Sequence, residues 1–234
     1  MILLTFCTTI KNRKYQLEQT LLQNLLDSIN KDTEFILIDF GSTDGLKKYI
    51  YDNFKEYLDS KKLKYYYTDK LKYWHASIAK NTTHKYAKGK YIVNLDCDNF
   101  IGKNGDNILI KLFENNNNII ISQSDTIFGS GNSGRISLSK DNFLKLGGYN
   151  EFLYPMGYQD ADLIQRAIKY GLKLIKLNKN NLAIKNSKIE SLKNTGTNIN
   201  YLKMNQLNKL ISKLNIENND LISNKFKSIG LDID

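Results

Sequence analysis

The feature that most constrains the fold is a series of short apolar runs separated by segments of helical spacing. "MILLTFCTT" (1–9), "EFILIDF" (34–40), "LKYYYT" (63–68) and "YIVNLDCD" (91–98) each read as a strand. Their apolar stretches are continuous rather than alternating, as in strands buried on both faces. Between them, residues 15–30 place Leu17, Leu21, Leu22, Leu25 and Ile29 at helical spacing, and residues 45–59 return to that pattern. "GSTDG" after the second run is a turn, and "ASIAKNTTHKYAKG" is a helix with Gly89 as its C-cap. Strand and helix in alternation predict an α/β fold, a largely parallel sheet covered on both faces.

The pattern then changes. "NNNNIIISQSDTIF" (115–128) gives a loop and a strand; "GSGNSGRISLSKDNFLKLGGYNE" gives a glycine-rich loop, strand, short helix and turn. "YQDADLIQRAIKYG" (158–171) is a helix with acids in its first turn and Gly171 at its end. Beyond residue 190 the chain is polar, then helical, with Tyr201, Met204, Leu207, Leu210, Ile211 and Leu214 on one face. A length of 234 residues suits one sizeable domain with a small appendage, expected over 1–190 and 191–234.

Several classes are disfavoured at once. No apolar run is long enough for a transmembrane helix, and "MILLTF" lacks the basic start of a secretory signal, so a soluble cytoplasmic protein is expected. Cys7 and Cys97 lie in apparent core strands without metal-type spacing and read as buried free thiols. The net charge of +10 is spread along the chain with no dense basic block, which argues against specific nucleic-acid binding. It favours anionic ligands and leaves room for peripheral contact with a membrane. Only Arg13, Arg135 and Arg166 are arginines, a hint that each marks a place needing a planar, bidentate fork.

In parallel sheets ligands bind outside the carboxyl ends of the strands. Thr8 and Thr9, Asp39, and Asp96 with Asp98 all fall at such ends. Residues i and i+2 of a strand share a face, so Asp96 and Asp98 point the same way if the strand persists, and bracket a common point if it turns at Cys97. Oxygen-only ligands suit Mg²⁺ or Mn²⁺. The plainer alternative makes Asp98-Asn99 a turn and Asp96 a cap for backbone amides.

These motifs carry a resemblance. "ILIDFGSTDG", "HASIAKNTTHKYAKGKYIVNLDCDN" and "SGRISLSKDNFLKLGGYNEFLYPMGYQDADLIQRA" occur in the order found in GT-A-fold glycosyltransferases. Over roughly residues 1–185 the chain is similar to glycosyltransferase family 2 and to the catalytic ends of galactosyltransferase-like enzymes. The resemblance implies a Rossmann-like, mostly parallel sheet flanked by helices, with a small C-terminal helical extension. It implies a nucleotide-diphosphate sugar donor, with a uridine diphosphate sugar expected, and a glycan, glycoprotein or glycolipid acceptor. Mn²⁺ or Mg²⁺ would bridge the diphosphate, ligated by Asp98, with Asp96 facing the ribose or the metal. Thr8, Thr9, Arg13 and Asp39 would line the nucleotide pocket, and Lys80 and Asn81 would approach the donor. Asp160 would be the base of an inverting transfer of a hexosyl or N-acetylhexosaminyl group, with Gln159, Tyr158 and Arg135 on the acceptor side.

Three departures stand beside it. Gln159 replaces the usual Glu, Phe40 replaces a second aspartate that commonly meets uracil, and no histidine follows the acidic motif. Asn186 sits roughly where that histidine would be, and the two histidines, His75 and His84, come earlier. Trp74 and His75 are candidates to line the donor pocket, and Tyr154, Pro155 and Met156 to lie beside the base. "GSGNSG" suits a mobile loop. A nucleotidyltransferase is disfavoured because "TTIKNRK" contains no glycine. The rival from another class is a non-catalytic module for sugar nucleotides or glycans on the same fold.

Overall fold

The computed structural model describes residues 1–123, 134–177, 183–184, 187–227 and 229–233. The elements are β1 (Leu4–Ile10), α1 (Lys14–Asp27), β2 (Thr33–Asp39), α2 (Leu46–Asn53), α3 (Lys55–Asp59), β3 (Leu63–Tyr67), α4 (Ala76–Tyr86) and β4 (Tyr91–Asn94). They continue with α5 (Gly105–Asn115), β5 (Ile119–Ser122), β6 (Ile136–Ser139), α6 (Lys140–Lys145), α7 (Gln159–Tyr170), β7 (Lys173–Lys176), α8 (Lys188–Lys193) and α9 (Tyr201–Glu217). The strands form one sheet in the order β3-β2-β1-β4-β6-β5-β7. Only β6 runs against its neighbours β4 and β5; the other pairs are parallel.

The continuous apolar runs are explained by helices on both sides. Phe6, Leu37 and Val93 face Leu17, Leu21 and Leu25 of α1 and Phe113 of α5. Cys7, Ile36, Ile38 and Ile92 face the layer that includes Ala79 of α4, Phe143 of α6 and Leu163 of α7. Each fully buried aliphatic or aromatic side chain contributes about 1.5–3 kcal/mol of transfer free energy.

Register opens the place for a site. Asn94, the last residue of β4, pairs with Cys7, whereas β1 runs on to Ile10 opposite Asp39. The notch lies between β1 and β4, where the strand order reverses, and such switch points are where open α/β sheets bind ligands.

Several local expectations change. Leu22 and Ile29 are exposed, so the buried stripe of α1 is Leu17, Leu21 and Leu25. The expected helix over 45–59 is broken at Phe54 into α2 and α3. The C-cap of α4 is Ala87, not Gly89. Gly89 is needed for space: a Cβ there would lie 2.7 Å from the Thr5 backbone nitrogen. Cys97 is not in a strand, because β4 stops at Asn94. On α9 the buried positions are Met204, Asn208 and Ser212, while Leu210 and Leu214 are exposed. The Asn208 amide donates to the carbonyls of Tyr154, Met156 and Gly157 and accepts from the Tyr154 N–H. Satisfying that loop's backbone decides the orientation of the helix.

Two of the three arginines are fully buried forks. Arg166 meets Asp162, one turn away, at 2.8 Å, and donates to the carbonyls of Leu146, Gly148 and Leu221. Arg166→Met therefore leaves a buried carboxylate without its cation and is expected to cost about 3–5 kcal/mol. A lowered urea midpoint by circular dichroism is the measurement.

His84 is buried, stacked on Phe143 with ring centroids 4.8 Å apart and bonded through Nδ1 to the Lys80 carbonyl. Burial pushes its pKa down to about 4 from 6.5. The unfolded chain therefore takes up a proton between pH 6.5 and 4 that the fold refuses, so stability falls with pH across that window, by on the order of 3 kcal/mol. His84→Phe keeps the stacking and is expected to flatten the decline in melting temperature between pH 7 and 5.

Candidate active site

The D-x-D segment is a turn held by α1. The Asn99 N–H donates to the Asp96 carbonyl at 3.0 Å, closing the turn over Cys97 and Asp98. Thr20 donates to the Cys97 carbonyl, and Asn24 bonds both the Asn99 carbonyl and the Ile101 N–H. Across the turn, the Ile184 N–H donates to the Asp98 carbonyl at 2.7 Å. Thr20 and Asn24 are fully or nearly fully buried among the leucines of α1, the signal in the sequence that its inner face grips polar backbone.

Lys80 joins the two acidic motifs. Its side chain is 4 % exposed, and its Nζ lies 2.7 Å from Asp160 Oδ1 and 3.3 Å from Asp96 Oδ1. The same ammonium sits 5.4 Å from the centre of the Tyr149 ring. Burial alone would pull the lysine pKa down, but the charge of Asp160, then of Asp96, outweighs it and holds the ammonium above the ordinary lysine range. Burial raises the carboxyl of Asp160, Lys80 opposes that rise, and the charge of Asp96 adds to it.

Asp96 is the more exposed carboxylate. Its Oδ1 also accepts from Asn94, whose amide donates in turn to the Gly134 carbonyl. A Cβ on Gly134 would lie 2.0 Å from Asp96 Oδ2, so a larger residue there would have to push the Asp96 carboxylate aside. Asp98 is buried, lines the same pocket and accepts from its neighbour Asn99.

The pocket, of about 150 Å³, is walled by Thr9, Arg13, Lys80, Asp96, Asp98 and Gln159, with Lys11, Trp74, Cys97, Met156 and Asn194 among the rest. A polar pocket of about 880 Å³ adjoins it and shares Arg13 and Asn194. Asn194 accepts from Asn12 at 3.0 Å and, through its carbonyl, from the Trp74 N–H, so this one residue stands between the two. Ligand sites commonly measure about 300–1,000 Å³; the first pocket alone falls short of that range, and the adjoining one lies within it.

Not every candidate reaches the pocket. Thr8 is buried within β1. Asp39 is fully buried, accepting from the Ser42 N–H and the Tyr65 hydroxyl. Asn81 is a clamp, bonded to both backbone groups of Tyr149 and to Glu151. Arg135 is fully buried and donates to the carbonyls of Phe100 and Gln123, so its guanidinium braces the chain next to the D-x-D turn. Tyr158 takes a left-handed conformation before α7, its hydroxyl accepting from Gln165. His75 is turned to the Leu153 carbonyl. Most of "GSGNSG" and Asn186 lie outside the described residues. Lys11 and Asn194 were not anticipated; Asn194 meets Asn12 across 182 positions, a separation no local pattern reveals.

A mixed, mostly parallel sheet with Asp96 and Asp98 just past the carboxyl end of β4, beside the end of β1, is the GT-A architecture. A mannosyltransferase, PcManGT from Pyrobaculum calidifontis, in complex with GDP-Man and Mn²⁺, aligns with TM-score 0.61 and 17% identity over 74% of this chain and 54% of its own. TarS from S. aureus, residues 1–349 in complex with UDP-GlcNAc, aligns with TM-score 0.64 and 12% identity over 80% and 59%. The chain thus spans little more than half the length of either. At these identities the likeness is one of fold. No curated protein matches the sequence. Residues 5–180 match Glycosyl transferase family 2, and the chain belongs to that family. No helix among the described residues is long and apolar enough to cross a membrane.

Lys80→Met leaves Asp160 and Asp96 without their shared cation and is expected to destabilise the protein by about 3–5 kcal/mol at pH 7. A carboxyl with a raised folded pKa takes up its proton earlier in the fold than in the unfolded chain, so stability returns as pH falls through that window. Urea unfolding at pH 7 and pH 5 checks this: the deficit should shrink at pH 5 and should be partly relieved by adding Asp160→Asn.

Proposed function

We propose that this protein transfers a sugar from a nucleotide-diphosphate sugar, a uridine diphosphate sugar foremost, to an acceptor hydroxyl with inversion. The observation that carries the reading is the Lys80 bridge, which ties Asp160 at the start of α7 to Asp96 of the D-x-D turn, beside a pocket lined by Lys80, Asp96, Asp98 and Gln159. Asp160 acts as the base. The acceptor oxygen attacks the anomeric carbon, its proton passes to Asp160, and the bond to the diphosphate breaks with its electron pair leaving on the phosphate. Gln159 begins α7 beside the base, and its Oε1 is buried with no hydrogen-bond partner among the described residues, an acceptor in position for a substrate N–H or O–H.

The donor set suits a hard divalent cation, Mn²⁺ or Mg²⁺. Asp98 lines the pocket, and Asp96 already serves Lys80 and Asn94 through one oxygen. Among the described residues no cluster of three or more His, Cys, Asp or Glu side chains is gathered for a metal. Asp98, seconded by Asp96, would hold the ion together with the diphosphate and water, a common arrangement for Mg²⁺. When bound, the ion would neutralise charge developing on the departing diphosphate. The GDP-Man with Mn²⁺ and the UDP-GlcNAc in the two structural relatives support a donor of this class. Residues 1–190 are assigned as the catalytic unit and 191–234 as an extension packed on it, in keeping with the α9 contacts to the 154–157 loop.

The test is a panel of UDP- and GDP-sugars with Mn²⁺ and glycan acceptors, read as release of the nucleoside diphosphate. Asp160→Asn is expected to bind nucleotide normally and lose about 10²–10⁴-fold in turnover. Asp98→Ala, or added chelator, is expected to remove the metal-dependent part of nucleotide binding. Turnover that survives both substitutions would sink the assignment. Nucleotide binding without turnover of any donor would favour the non-catalytic module.

A further inference from the structure

The fold leaves an apolar face of α9 in solvent. Leu207, Leu210, Ile211 and Leu214 stand at helical spacing on one side of the helix, and the inward turn of Asn208 rotates that row out of the core. Leu210 is 58 % exposed and Leu214 57 %. The row runs into a groove of about 240 Å³ lined by Ile211, Phe152, Ile222 and Phe226 among others. Phe226 stands almost wholly in water, at 98 % exposure, and Phe152 is exposed as well. Single exposed apolar side chains are ordinary, but a contiguous set on one face marks an interaction surface. This groove shares no lining residue with the pocket of the acidic motifs.

Lysines frame the face. Lys203 heads the row, Lys209 and Lys213 directly precede Leu210 and Leu214, and Lys225 and Lys227 flank Phe226; all five are exposed. The acids of the same segments are Glu151, Glu217 and Asp220, and each is paired, with Lys227, Lys213 and Lys225 in turn. Lys203 and Lys209 are therefore excess positive charge. Lysine stems lie along apolar surface while their ammonium groups reach toward water, which suits a boundary between acyl chains and headgroups. A second copy docked by two-fold symmetry would instead set this positive face against itself. We propose that this face docks on a bilayer surface bearing anionic headgroups. Leu210, Leu214 and Phe226 enter the acyl boundary, and the lysines meet the headgroup phosphates. The inference goes beyond the sugar-transfer reading and does not depend on it.

Flotation of the full chain with vesicles tests it, using phosphatidylcholine alone and equal parts of phosphatidylcholine and phosphatidylglycerol. The protein is expected to float with the mixed vesicles and not the neutral ones, less so as salt is added. Leu210→Asn with Leu214→Asn keeps the charge and is expected to weaken binding about tenfold or more. Lys203→Gln with Lys209→Gln should weaken it by a similar factor of about ten. Lys48→Gln with Lys55→Gln removes as much charge from exposed positions of α2 and α3 and should leave binding within about twofold. An equal loss in that control, or binding indifferent to the leucine pair, would reduce the attraction to diffuse charge and overturn the proposal. So would no binding to mixed vesicles, or a dimer in sedimentation velocity that the leucine pair abolishes. Should the leucine variant fail to fold by circular dichroism, Phe226→Ser supplies the same readout, with a loss of about fivefold or more expected.

Discussion

One buried ammonium organises the site. Lys80 is charged in the interior, and that is tolerable only because Asp160 and Asp96 converge on it. Such an arrangement adds little net stability, since desolvation offsets most of the attraction. What it fixes is position: the carboxylate at the start of α7 and the one after β4 come from segments 64 residues apart (160 − 96), yet they share a cation. The rest of α4 serves the same placement. Asn81 clamps Tyr149 and Glu151, and Thr82 and Thr83 return their hydroxyls to the carbonyls of Ile78 and Ala79. The C-terminal segment closes over the helix, with the Gly230 N–H on Glu151 and the Leu231 N–H on Thr82. Gly230 is required there, because a Cβ would lie 2.5 Å from the Thr82 backbone nitrogen.

The layers of the fold were legible because burial on both faces leaves a sequence signature that no other strand environment imitates. β7 was not, because "KLIK" ends in exposed lysines and sits at the sheet edge, where apolar content is low. The face of α9 was misread for a different reason. Hydrophobic spacing assumes that apolar side chains decide which way a helix turns, and here the carbonyls of the 154–157 loop required Asn208.

The site was legible to the level of residue type and strand end, and no further. Asp39 and Asn81 stand where sequence reasoning placed them along the chain, but local backbone and hydroxyl partners reach their polar atoms first. The arginine argument was half informative in the same way. Arg135 and Arg166 do mark positions that need a planar fork, but the fork meets backbone carbonyls and, for Arg166, Asp162, whereas Arg13 lines the pocket. Scarcity of a residue type reveals a geometric demand without revealing whether a ligand or the fold makes it.

The sparse carboxylate set around Asp98 has a thermodynamic corollary on the proposed reading. The backbone of the turn is held by Thr20, Asn24 and Ile184, so its shape costs nothing to assemble when ligand arrives. The number of ligands is the weak point, and a nucleotide diphosphate would supply the missing oxygens. Metal and nucleotide then stabilise each other reciprocally: whatever factor the ion adds to nucleotide affinity, the nucleotide adds to ion affinity. A full cage of carboxylates would hold the ion in the empty enzyme and forfeit that coupling. On the same reading Gln159, which lines the pocket as a neutral amide, would leave less repulsion toward a diphosphate than a carboxylate beside Asp160 would.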